Sequence, residues 1–99
     1  MAILIQPDGT KTNVRPADPA RGFTLAEYYQ YVCPGDPDPI VQAVPLPGGI
    51  TAWCHEEGKL RGLPPNPAAT LSYGAYLLPG DYFVGPVLLT APAEEEGVL

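Results

Sequence analysis

The chain is predicted to fold as an α+β domain, a small mixed or antiparallel sheet with one helix packed on one face. Three observations predict it. Apolar runs of strand length come in pairs joined by tight turn signals, and one well-formed helix start, Thr24 with Glu27, stands between the pairs. Fourteen prolines and eleven glycines leave little room for long helices. A single helix cannot cover both faces of a sheet this size, so it packs on one of them.

Ala2 to Gln6 reads as the first strand, Pro7-Asp8-Gly9 as a turn, and Thr10 to Arg15 as the returning partner with Thr10, Thr12 and Val14 on one face. Pro16 to Arg21 is a loop. Thr24 is then an N-cap with Glu27 at N3, while Phe23 and Tyr28 occupy the staple positions. The helix that follows, Leu25 to about Val32, places Leu25, Tyr28, Tyr29 and Val32 on one side. Cys33-Pro34-Gly35 ends it, because a residue before proline avoids the helical region.

Ile40 to Leu46 and Ile50 to His55 read as two strands about a Gly48-Gly49 hairpin turn. A two-residue turn sets Val44 opposite Trp53 and Leu46 opposite Thr51, with Ala43 and Cys54 on the other surface. Tyr73 to Leu78 and Tyr82 to Thr90 read as one or two further strands. The first four strands and the helix follow the order of a β-grasp. Residues 1–91 form one domain, and 92–99 a short acidic tail containing Glu94-Glu95-Glu96.

The net charge of −6 argues against direct nucleic-acid binding, since five cationic side chains are too few to meet a phosphate backbone. No apolar segment is long enough to span a membrane, and the start lacks the basic and apolar regions of a signal peptide, so cytoplasmic residence is expected. Ser72 is the only serine and asparagine occurs twice, a scarcity that suits a thermophilic source, although lysine is scarce too.

The segment Val44–Asn66 resembles an uncharacterised family of small proteins found largely in phages, plasmids and other mobile elements, known as domain of unknown function 3846. Pro45-Leu46-Pro47, Glu56-Glu57-Gly58-Lys59-Leu60 and Gly62-Leu63-Pro64-Pro65-Asn66 carry the resemblance, with Val84-Gly85-Pro86-Val87-Leu88 as the strand after the loop. His55 stands where the family usually has asparagine, and Pro67 where a basic residue is common. The resemblance implies a phage or mobile-element origin and supplies no reaction.

The connector His55–Asn66 is far longer than a plain turn requires, and ordered loops of that kind carry function. Its Glu56, Glu57, Lys59, Arg61 and Asn66 are the candidate binding residues. The expected function is a non-enzymatic accessory protein that uses this loop, with nearby tyrosines, to engage a host or phage protein. One alternative is a small-molecule binder or minimal enzyme at His55, Glu56, Glu57 and Lys59, because a histidine beside carboxylates can move protons near neutral pH. Another is an acidic DNA mimic, weakened by the scatter of the acids along the chain. Cys33 and Cys54 read as two buried thiols, since no Cys-x-x-Cys spacing exists and Cys54 and His55 point to opposite faces of a strand. No metal, cofactor or catalytic residue is expected. Exposed edge strands and tyrosines suit a homodimer.

Overall fold

A computed structural model describes residues 2–92. Met1 and residues 93–99, which include Glu94-Glu95-Glu96 of the acidic tail, lie outside the described residues. Five strands, β1 (Ala2–Ile5), β2 (Lys11–Val14), β3 (Val41–Pro45), β4 (Thr51–His55) and β5 (Val87–Thr90), form one sheet in the order β2-β1-β5-β4-β3. Every pairing is antiparallel. The α+β class therefore holds, with an antiparallel rather than mixed sheet. The likeness to a β-grasp extends no further than the order of the first four strands and the helix. β1 and β5 run side by side in opposite directions.

Helix α1 (Leu25–Val32) begins where the sequence places it. The Thr24 hydroxyl accepts from the Glu27 amide, and the Glu27 carboxylate accepts from the Thr24 amide. Phe23 and Tyr28 close the staple with ring centroids 5.8 Å apart, and both are buried. Burying rings of this size stabilises the fold by about 1.5–3 kcal/mol each. Tyr28 also stacks on Trp53 of β4 at 4.0 Å. Leu25 departs from the expected apolar stripe: at the first position of α1 it is 45% exposed.

The expected strand at Tyr73–Leu78 is not present. In its place the chain forms a second helix, α2 (Pro67–Tyr73), and then a single 3₁₀ turn at Gly74–Tyr76. Asn66 caps α2 by accepting from the Ala69 amide, and Pro67 occupies the first turn, where its missing N–H costs nothing. The sheet is thus covered on both faces. Ala2, Leu4 and Leu88 pack with Phe23, Tyr28 and Val32 of the α1 side, while Ile5, Ala52, Val87 and Leu89 pack with Ala69 of α2. β5, central in the sheet, is buried at every residue. Its continuous apolar run is the mark of a strand covered on both sides. The strand expected over Tyr82–Thr90 is shorter, because only Val87–Thr90 joins the sheet.

The β3–β4 register is one residue away from expectation. Ala43 faces Trp53 and Val44 faces Ala52. The turn holds three residues, Pro47–Gly49, with Gly48 and Gly49 both at φ near +77° and the Leu46 amide donating to Ile50 O at 2.8 Å. One extra turn residue moves every side chain of a strand to the other face. Val44 and Cys54 therefore share the α2 side, and Trp53 faces α1.

Candidate functional site

The first part of the 55–66 connector is a run of overlapping turns. The Gly58 amide donates to His55 O, the Arg61 amide to Glu57 O, the Gly62 amide to Lys59 O, and the Leu63 amide back to Gly58 O. Its far end is laced to the segment before β5: Pro65 bridges Val84, the Gly85 amide donates to Pro64 O at 2.7 Å, and the Asn66 amide to Phe83 O at 2.9 Å. Two glycines make room for Leu63. A Cβ on Gly85, which also has φ +68°, would lie 2.8 Å from Leu63 Cδ1, and one on Gly58 would lie 2.5 Å from Val84 Cγ2.

Charges inside the loop are largely spent on anchoring it to neighbouring segments. Arg61 donates twice to Asp36 at 2.7 and 2.8 Å, and also to Glu57 Oε1 and to the Asp38 carbonyl. Lys59 pairs with Asp81 and sits 4.2 Å from the centroid of the Tyr82 ring. The His55 side chain is 2% exposed, and both ring nitrogens are engaged. An amide N–H can only donate, so Nδ1 accepts from Glu57 N at 3.1 Å, and Nε2 carries the proton given to Asp36 Oδ2 at 2.6 Å. Asp36 is held at about 2 by the His55 bond first, then by the Asp38 amide and Arg61. Asp81 is likewise lowered, chiefly by Lys59.

Asn66 is fully buried. Its amide nitrogen donates to Ile5 O and Gly85 O, at 2.9 and 2.8 Å, joining β1, the β5 approach and α2. Its side chain therefore works for the fold. Of the candidate residues, Glu56, Glu57 and Lys59 meet at one place, together with His55. They line a cleft of about 320 Å³ whose other walls include Gln42, Cys54, Leu60, Leu77, Asp81 and Tyr82. Arg61 stands behind it, bracing the loop against the turn after α1.

Sequence reasoning missed Asp36, Asp81, Gln42 and the 77–84 wall. Only Asp36 carried a local hint, a turn in which its carboxylate accepts from the Asp38 amide. The cysteines lie on opposite faces of the sheet, Cys33 with α1 and Cys54 with α2, so they cannot form a disulfide as placed. Burial pushes the Cys54 thiol up to about 11, so it is a poor nucleophile although it lines the cleft. Among the described residues, no group of His, Cys, Asp and Glu is arranged to hold a metal ion, and no helix is long and apolar enough to cross a membrane.

The family model described as "Domain of unknown function (DUF3846)" matches residues 1–99, the length of the chain. No curated protein and no solved structure matches it.

Proposed function

The chain belongs to the DUF3846 family, and we propose that it is a non-enzymatic protein-interaction module, an accessory protein of a phage or mobile element. It engages a host or phage protein at the cleft beside the 55–66 loop. One observation carries the reading: the loop is braced by Asp36 and Asp81 and forms one wall of a cleft whose rim carries exposed apolar side chains. Leu60 is 84% exposed on that rim, and Leu78 and Tyr82 are exposed nearby. A shaped, pre-ordered surface with aromatic and aliphatic side chains costs little ordering entropy on binding. The charges first favoured for recognition, Lys59 and Arg61, support it less directly, by holding the loop in shape.

Catalysis draws less support. His55 has no free nitrogen to act as a base, Glu57 is paired with Arg61, and the Cys54 thiol stays protonated at neutral pH. A small-molecule ligand is the second reading. It is favoured by the cleft volume, which falls at the lower end of ligand pockets, roughly 300–1,000 Å³.

Affinity capture from a host lysate tests the first reading. Wild type, Leu60→Asp and Tyr82→Ala are compared, with Lys11→Glu on distant β2 as a control. Partners retained by wild type and control but lost by both cleft variants are expected. Equal recovery by all four forms would overturn the reading, and a thermal shift with metabolites but with no protein would favour the second.

A further inference from the structure

We infer that the occupant of this cleft is an extended, basic peptide segment that adds as a strand to the open edge of β3; the inference rests on the protein-binding reading above. β3 is the last strand of the sheet. The Leu46 amide donates to Ile50 O and the Glu56 amide to Ile40 O, so the even-numbered residues of this stretch face β4. The N–H and C=O groups of Val41 and Ala43 therefore point away from the sheet, and no partner meets them among the described residues. Pro45 has no N–H and Pro39 precedes the strand, which keeps the free edge short.

Beside that edge runs a trough. A second cavity of about 290 Å³ lies between β3 (Gln42 to Pro45) and Tyr76, Leu77 and Leu78. It shares Gln42, Leu77 and Asp81 with the 320 Å³ cleft, so the two form one channel along the strand. An edge strand with a side-chain channel beside it is the arrangement used for strand addition. Backbone bonds there supply affinity, and alternate side chains entering the channel supply selectivity.

Charge selects the peptide. Glu57 is paired with Arg61 and Asp81 with Lys59, while Glu56 lines the channel exposed and without a partner among the described residues. A lysine or arginine of the peptide would set its cationic head on Glu56 and lay its aliphatic stem along Leu77 and Tyr82. The chain's net charge of −6 favours a basic partner over a second acidic copy.

A random peptide library displayed on phage is selected against the full chain, and a selected peptide is titrated into the ¹⁵N-labelled protein. Recurrent lysine or arginine is expected. Amide exchange at Val41 and Ala43 should slow at least tenfold on binding. Glu56→Gln should weaken binding about three- to fivefold. Ala43→Pro, which removes an outward N–H that no strand of the sheet uses, should abolish it while the far-ultraviolet spectrum of the free protein stays native.

Unchanged exchange at Val41 and Ala43 with peptide bound would overturn strand addition, and shifts at Leu60 and Tyr82 in that case would leave the protein-binding reading standing. Selected peptides without basic residues would overturn the charge assignment. Concentration-dependent self-association that protects the same amides would assign the edge to a second copy and overturn the foreign peptide. Failure of both selection and lysate capture would remove both readings.

Discussion

His55 Nε2 lies 2.6 Å from Asp36 Oδ2 while Nδ1 of the same ring accepts the Glu57 amide, so one buried imidazole joins β4, the turn after α1 and the 55–66 loop. The histidine that suggests proton transfer beside Glu56 and Glu57 in the sequence is here a brace. Its behaviour with pH and its response to mutation follow from that geometry.

Asp36 titrates at about 2 in the folded chain, below its ordinary 3.8. A depressed carboxylate contributes stability that is complete above the unfolded value and is lost as pH falls toward the folded one. Stability should therefore decline between about pH 4 and pH 2. Asp36→Asn should flatten part of that slope, leaving the share of Asp8, Glu27 and Asp81, which are lowered too. Urea denaturation at stepped pH reads the effect. Asp36→Ala should also destabilise the fold near neutrality, because it leaves a buried imidazole N–H without an acceptor. A slope that is identical in wild type and Asp36→Asn would contradict the assignment.

Asn66→Ala removes both donors that hold Ile5 O and Gly85 O and the acceptor that caps α2. Three bonds at a fully buried position should cost about 3 kcal/mol or more. Asn66→Asp should be no better, since a carboxylate cannot donate to either carbonyl. Chemical denaturation of the two variants checks this, and a loss below about 1 kcal/mol would show that the amide is not the clamp described.

Gly58→Ala drives a methyl group to 2.5 Å from Val84 Cγ2 and should destabilise by about 1–3 kcal/mol. Val84→Ala should relieve much of that clash, giving a coupling energy opposite in sign to the single costs. Additive effects in the double-mutant cycle would place the clash elsewhere.

Both thiols should resist alkylation at pH 8 in the native protein, because burial raises each of them and Cys54 stands at about 11. Labelling followed by mass spectrometry should show both modified only when denaturant opens the sheet. Rapid native labelling of Cys54 would mean that the cleft floor opens readily.

How much of this could be read beforehand depends on the range of the forces involved. Thr24, Glu27, Phe23 and Tyr28 lie within one helical turn of each other, and their capping box and staple were legible as written. Helix α2 was partly legible: Asn66-Pro67 is a start signal, but seven residues following a proline-rich run read equally well as loop. The β3–β4 register turned on a single residue of a glycine-rich turn, which pattern alone does not fix.

The candidate site divides the same way. The chain by itself determined the α+β class, the family signature and the fact that 55–66 is an ordered loop, because these rest on local spacing and turn chemistry. Only the tertiary structure decided what the loop's residues do. Asp36 reaches His55 and Arg61 from the turn after α1, Asp81 reaches Lys59 from beyond α2, and Asn66 meets Ile5, 61 residues earlier in the chain. Charges and amides that look available in a sequence are available only if folding brings them no partner. Here folding supplied partners to Lys59, Arg61, His55 and Asn66, leaving Glu56, an apolar rim and the open edge of β3.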